Sequence, residues 1–167
     1  MNTDKKAKHE SEKKTLIIAV MISGVFLAVL NRPVLSPALP SIMEDLHITA
    51  AEGQWLTTAF LLVNGIMIPI TAYFIDRFTT RQLFLSSMLM FAAGTAVAGF
   101  AGSFAVLLLA RILQAMAAGV LMPMIQTVIL LLFPREKRGA AMGAIGIVIA
   151  FAPAIGPTLS GWIVDVW

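Results

Sequence analysis

The chain has 167 residues, of which 59% are hydrophobic and 13% are charged, with a mean hydropathy of +0.89 and a formal net charge of +3. Soluble domains average about 45–50% apolar and about 25% charged residues, so this composition argues against a soluble globular fold. Cysteine is absent, which excludes disulfides, thiolate metal sites and a cysteine nucleophile.

Five apolar runs predict five membrane-spanning helices. Each run is close to or above the roughly 20 residues that a helix needs to cross a bilayer core. In lipid an isolated apolar segment satisfies its backbone hydrogen bonds as a helix, so we predict an all-α polytopic membrane protein. The first run exceeds the roughly 7–15 residues of a cleavable signal-peptide core and is predicted to be retained. The predicted helices, numbered 1 to 5, lie near residues 15–39, 54–75, 83–101, 105–133 and 140–164.

The basic residues predict the orientation of these helices. Five lysines lie in the tail of residues 1–14, two arginines lie between helices 2 and 3, and three basic residues lie between helices 4 and 5. By the positive-inside rule the tail is cytoplasmic, residues 165–167 lie outside, and the protein is a multi-pass plasma-membrane protein. Basic residues at membrane-flanking positions indicate attraction to anionic lipid and not to nucleic acid.

Two arginines, Arg32 in helix 1 and Arg111 in helix 4, lie inside predicted spans. A charge at this depth costs about 2.5–3.5 kcal/mol on insertion scales and over 10 in simulations, so it normally faces a bundle interior or a water-filled cavity. The alternative is that each side chain extends outward to the headgroups. For Arg32 the two alternatives are nearly balanced, whereas helix 4 favours a cavity for Arg111.

Helix 4 has one polar face and one apolar face when its residues are placed 100° apart. We therefore expect the polar face to line a translocation path and the other face to contact lipid. The polar face comprises Arg111, Gln114, Ala118, Met122 and Gln126, and the opposite face comprises Leu109, Leu113, Val120 and Leu131.

Acidic residues occur only in the tail, loops and helix ends. We therefore expect Arg111 to be satisfied by amides, backbone carbonyls, water or a group outside this chain, with Gln114 and Asn31 as candidates. Pro33, next to Asn31 and Arg32, frees backbone carbonyls that could line the same cavity. A titratable proton-binding group at membrane depth, a metal site and a cofactor site are not predicted.

Two further segments carry candidate functional residues. In helix 5, Gly156, Pro157 and Gly161 are typical of a bend or hinge. In the loop DRFTTR, the charged residues either set the topology or act as a latch, with Asp76 capping helix 3 or pairing with a basic residue. The basic residues of this loop are Arg77 and Arg81.

Four stretches, in chain order, resemble the motifs of the major facilitator superfamily, and specifically its 14-helix drug/proton antiporter family of bacterial multidrug and lincomycin exporters. They are LNRPVLSPALPSI, TAYFIDRFTTRQLF, LLARILQAMAAG and APAIGPTLSG. Most members of that family have an aspartate where this chain has Asn31. The residues that match the other three motifs are Asp76, Arg77 and Arg81; Arg111, Gln114 and Gly119; and Gly156, Pro157 and Gly161.

The resemblance implies that the chain is the N-terminal part of a facilitator fold, cut short after Trp167 and lacking the C-terminal half. It implies multidrug efflux by proton antiport in the complete protein, with amphipathic drugs, protons and the lipid bilayer as partners. It also implies that Arg111 takes part in proton coupling, that the loop residues gate the cytoplasmic side and that helix 5 shapes exchange. The chain alone is expected to be inactive, because alternating access needs two halves.

Three alternatives belong to other classes of function. A facilitator of another small-molecule class is disfavoured by the glycine–proline motif of helix 5. The second alternative is a self-assembling small membrane protein whose copies would pair to form a pore. A membrane enzyme is disfavoured because His9 and His47 have no nucleophile beside them in the sequence.

Overall fold

The computed structural model describes residues 19–30, 35 and 38–166 of the chain, and describes the side chains of α5 only in part. Apart from turns and short connections, this part of the chain is helical. Residues 38–45 form a short helical segment ahead of the long helices. The helices are α1 (Ala19–Leu30), α2 (Ala50–Arg77), α3 (Thr80–Gly99), α4 (Phe104–Leu132) and α5 (Arg135–Val166).

Three of the described helices, α2, α3 and α4, are long and apolar enough to cross a membrane. Their 28, 20 and 29 residues correspond to lengths of about 42, 30 and 44 Å at about 1.5 Å per residue. The hydrocarbon core of a bilayer is about 30 Å thick, so each helix is long enough to reach from one interface to the other.

Capping boxes determine where α2 and α3 begin. Thr49 Oγ1 accepts a hydrogen bond from the Glu52 backbone N–H at 3.3 Å, and Glu52 Oε2 accepts one from the Thr49 N–H at 2.8 Å. Thr79 and Gln82 form the same reciprocal pair at the start of α3. Both helices therefore begin three or four residues earlier than the apolar runs indicate, because their first turns are polar and are stabilised by capping.

The helix α4 lies between α2 and α3 and packs against both, while α2 and α3 have little contact with each other. This position corrects one expectation for the apolar face of α4. Leu109 and Leu131 are 57% and 76% exposed, as a lipid-facing side predicts, but Val120 is only 3% exposed. A helix packed on two sides buries more than half of its circumference, so Val120 belongs to the protein interior.

Glycine permits the close approach of α2 to α4. A Cβ atom on Gly119 would lie 2.5 Å from Met67 Cβ and 3.1 Å from the Asn64 carbonyl oxygen. Two polar contacts cross the same approach. Asn64 Nδ2 donates to the Ala115 carbonyl at 3.4 Å, and the Thr71 hydroxyl, which donates to the Met67 carbonyl at 2.7 Å, also lies 3.2 Å from the Gly119 carbonyl. Small residues at helix contacts permit such backbone approach in membranes.

Candidate functional site

Arg111 lies in the interior of the helix bundle. Its side chain is 5% exposed, and its guanidinium carbon lies 5.7 Å from the centroid of the Phe60 ring on α2. Phe60 is itself buried. A cation over an aromatic face is stabilised by the ring quadrupole, and more strongly where water is excluded. The side chain therefore points between helices and does not extend to the surface of the described bundle.

Gln114 connects Arg111 to α3. Arg111 Nη1 donates to Gln114 Oε1 at 3.1 Å, and Gln114 Nε2 donates to Thr95 Oγ1 at 3.1 Å. Thr95 Oγ1 in turn donates to the Phe91 carbonyl at 2.9 Å. Gln114 is 2% exposed, and both the oxygen and the nitrogen of its buried amide are hydrogen-bonded. The sequence predicts a role for Arg111 and Gln114, and Thr95 is a further residue that the structure adds to them.

Gly94 brings α3 close enough for this network to form. A Cβ atom there would lie 3.0 Å from Gln114 Cγ and 3.1 Å from the Ala110 carbonyl oxygen. These distances are shorter than ordinary contacts, so a larger residue would push the two helices apart. The adjacent pair Gly94 and Thr95, in the apolar second half of α3, is the signal in the sequence that points to this contact.

Gln126 lies in a different environment from Arg111 and Gln114. It lines a cavity of about 280 Å³ between α1, α2, α4 and α5, which Arg111 and Gln114 do not line. Gln126 is exposed, and Asn64 is the other amide at the cavity wall. The polar stripe expected on α4 is thus divided between a buried network and an open cavity. Apolar lining residues include Val25, Ala28, Ile68, Met122 and Ile149.

The charged residues where α2 ends and α3 begins, Asp76, Arg77 and Arg81, are exposed. Asp76 and Arg77 end α2, and the Arg77 guanidinium carbon lies 5.1 Å from the centroid of the Tyr73 ring. The expected capping of helix 3 by Asp76 is wrong, because Thr79 is the N-cap of α3 and its hydroxyl accepts the Gln82 backbone N–H. Arg81 lies in the first turn of α3.

Arg138 joins the start of α5 to the end of α4. Its Nη2 donates to the Leu130 carbonyl at 2.7 Å, and its Nε donates to the Phe133 carbonyl at 3.0 Å. The last carbonyls of a helix have no intrahelical donor, and a cation there is also favoured by the helix dipole. From the sequence alone, Arg138 is predicted only as a topology signal.

Some predicted site residues lie outside the part that is described. Asn31 and Arg32 do so entirely. The backbone of Gly156, Pro157 and Gly161 is helical as part of α5, and their surroundings are not described. Among the described residues, no group of three or more potential ligands is placed to hold a metal ion.

A sequence profile of the Major Facilitator Superfamily matches residues 21–167, which is nearly the whole chain. The chain belongs to the major facilitator superfamily. The predicted fold class, the N-terminal part of an all-α facilitator fold, is confirmed. The chain therefore belongs to a family of membrane transporters.

Curated relatives agree with this assignment. An uncharacterized facilitator-type transporter, YcnB of Bacillus subtilis, is 55% identical over 91% of this chain and 32% of its own length. The lincomycin resistance protein LmrB of the same organism is 46% identical over 99% of this chain and 34% of its own length. The multidrug export protein EmrB of Haemophilus influenzae is 35% identical over 90% of this chain and 29% of its own length. The chain thus spans about a third of the length of the relatives that it matches.

Proposed function

We propose that this chain is the N-terminal part of a drug/proton antiporter, which in its complete form exports amphipathic drugs from the cell in exchange for protons. The observation that carries the proposal is the buried guanidinium of Arg111, held between α2, α3 and α4 by Gln114 and the Phe60 ring. Relatives named for lincomycin resistance and multidrug export support the substrate class.

Arg111 contributes to proton coupling through its charge. A fixed cation within about 4–6 Å lowers the pKa of a carboxyl group by favouring its ionised form. A carboxyl group that approaches Arg111 in one conformational state therefore releases its proton there and binds it again in the other state. The chain has no acidic residue inside its apolar runs, so we place that carboxyl group in the remaining part of the transporter.

The cavity beside Asn64 and Gln126 contributes part of the drug site. Drug-binding pockets are mostly apolar with a few polar groups, and have volumes of about 300–1,000 Å³. This cavity is apolar apart from its amides, and its volume is about 280 Å³. It suits one portion of an amphipathic drug, and the second half of the transporter would contact the rest.

The remaining features have roles in the conformational cycle. Asp76, Arg77 and Arg81 gate the cytoplasmic side, Gly156, Pro157 and Gly161 allow α5 to adapt during exchange, and Asn31 and Arg32 belong to the translocation path. The tail of residues 1–14 is cytoplasmic, and the protein lies in the plasma membrane. Alone, the 167 residues do not transport, because alternating access rocks one half of a facilitator against the other.

A chimaera tests the transport function. Residues 1–167 replace the matching third of LmrB, and the product is expressed in a lincomycin-sensitive host without its own exporter. We expect resistance and drug-driven proton movement from the chimaera and neither from residues 1–167 alone. Export that persists after the proton gradient is collapsed would contradict antiport.

The role of Arg111 is tested in the same chimaera. We expect Arg111→Ala to abolish export at an unchanged protein level, because the buried cation is lost. Leu109→Ala on the exposed side of the same helix is the matched control and should leave export intact. Full export by Arg111→Ala would overturn the assignment.

The orientation is tested in the native background, which contains no cysteine. Gly102→Cys places a thiol between α3 and α4, and Phe78→Cys places one between α2 and α3. With a cytoplasmic N-terminus, a membrane-impermeant maleimide labels position 102 in intact cells and position 78 only after permeabilisation. The reverse pattern would invert the proposed topology.

A further inference from the structure

Thr95 lies at the end of the hydrogen-bond network that reaches Arg111. Its hydroxyl lies 2.9 Å from the Phe91 carbonyl oxygen and 3.1 Å from Gln114 Nε2. Gln114 Oε1 then lies 3.1 Å from Arg111 Nη1. The three contacts connect the backbone of α3 to the guanidinium on α4 through one hydroxyl and one amide.

The donor and acceptor capacity of the Thr95 hydroxyl determines the orientation of the Gln114 side-chain amide. A threonine hydroxyl has one proton to donate, and a backbone carbonyl only accepts. The proton of Thr95 is therefore used on Phe91, and the oxygen presents lone pairs to Gln114. Only the NH₂ end of the amide can donate to those lone pairs, so the carbonyl end must face Arg111.

The opposite orientation of the amide would be unfavourable at both ends. It would place the NH₂ group of Gln114 against the donors of Arg111, and the amide oxygen against the lone pairs of Thr95. Gln114 and Arg111 are 2% and 5% exposed, and a buried polar group without a matched partner costs the full desolvation penalty. Thr95 is itself exposed at the edge of this network, so replacing it leaves the packed interior intact.

We propose that Thr95 is a positioning residue, which fixes the amide of Gln114 so that its oxygen holds the Arg111 guanidinium beside the Phe60 ring. This inference rests on the proposed function for its consequence in transport: Thr95 sets the orientation of the cation that couples protons to drug export. The orientation of the amide is measurable without transport.

The first experiment observes the amide directly. The full chain has glutamines at positions 54, 82, 114 and 126, and it is labelled with ¹⁵N in the glutamine side chains and dissolved in detergent micelles. Gln114→Met assigns the resonance pair of Gln114. We expect one Gln114 proton to be shifted downfield and protected from exchange, to remain so in Thr95→Ser, and to lose both properties in Thr95→Val. An unchanged Gln114 resonance in Thr95→Val would overturn the proposal.

The second experiment measures transport in the LmrB chimaera. Thr95→Val is isosteric but lacks the hydroxyl, and we expect turnover to fall roughly 3- to 10-fold, corresponding to the loss of one hydrogen bond. The KM for the drug should change little, because Gln114 and Arg111 do not line the cavity. Thr95→Ser keeps the hydroxyl and should restore turnover.

Thr127→Val is the matched control, since Thr127 Oγ1 makes the same kind of hydrogen bond to the carbonyl four residues earlier, that of Pro123. This variant should transport like the parent. If Thr95→Val and Thr127→Val lose equal turnover, or if Thr95→Ser fails to restore it, the positioning role is wrong. If the parent chimaera does not export, the proposed antiport function is wrong. The NMR resonances of the Gln114 amide still decide whether Thr95 orients Gln114.

Discussion

Gly119 is the position where the packing of α2 against α4 is most sensitive to a single methyl group. In Gly119→Ala the new Cβ would lie 2.5 Å from Met67 Cβ, whereas non-bonded carbon atoms prefer about 3.5–4.0 Å. The helices must therefore separate locally by about 1 Å. That movement also removes the longer, 3.2 Å branch of the Thr71 hydrogen bond to the Gly119 carbonyl, while the 2.7 Å branch to the Met67 carbonyl stays within α2.

The cost of Gly119→Ala follows from these two effects. Overpacking costs about 1–3 kcal/mol, and an interhelical hydrogen bond in a membrane protein contributes about 0.6 kcal/mol, with a maximum near 1.7. The higher helix propensity of alanine recovers about 0.5–1 kcal/mol. A net loss of about 2 kcal/mol corresponds to a fall in Tm of roughly 4–8 °C for a domain of this size.

The assay is thermal unfolding of the purified chain in detergent, followed by circular dichroism. Gly65→Ala is the matched control, because it is the same substitution within α2 at a site with no atom within 4 Å of the new Cβ. We expect the Tm of Gly65→Ala to equal or slightly exceed that of the parent. If Gly119→Ala melts no lower than Gly65→Ala, the close approach of α2 and α4 is wrong.

Three further predictions concern helix packing and helix ends; the first two are read by thermal unfolding and the third by limited proteolysis. Gly94→Ala places a Cβ 3.0 Å from the glutamine side chain on α4, and it should cost about 1–3 kcal/mol by overpacking; an unchanged Tm would contradict this contact. Thr49→Ala removes the cap of α2 and should cost about 1 kcal/mol, whereas exposed Thr58→Ala should be neutral. Arg138→Met removes two hydrogen bonds to the end of α4 and should make residues 133–139 more sensitive to limited proteolysis; equal sensitivity in Lys137→Met, which removes the same charge, would refute a specific role.

The fold class was predictable from the sequence because the apolar runs are long. A helix is the structure that lets such a run satisfy its backbone in lipid, so the existence of α2, α3 and α4 required no tertiary information. Their starts were placed less well, since hydropathy does not register a polar first turn. The pattern of Thr49 and Glu52 is a capping-box signature, and reading it would have placed the start of α2 at Ala50.

The site was only partly predictable. A single helical wheel groups Arg111, Gln114 and Gln126, but it contains no information about which neighbour covers each turn. Because α3 covers the turn of Gln114 while Gln126 faces a cavity, residues of one stripe lie in different environments. Thr95 was missed for the same reason, since its partner is distant in sequence and is brought near only by the packing of α3 on α4.

The central position of α4 has a consequence for biosynthesis. The hydrogen bonds described between the long helices each have one partner on α4, including those from Asn64 and Thr71 on α2 and the one to Thr95 on α3. Helices enter the bilayer in chain order, so the Asn64 amide on α2 meets the Ala115 carbonyl only after α4 is made, whereas Thr71 and Thr95 already donate to carbonyls of their own helices. A nascent chain halted before residue 104 would lack the Ala115 carbonyl to which Asn64 donates and the α4 surface against which α2 and α3 pack. Completion of α4 is thus the step at which the main contacts among these three helices can form.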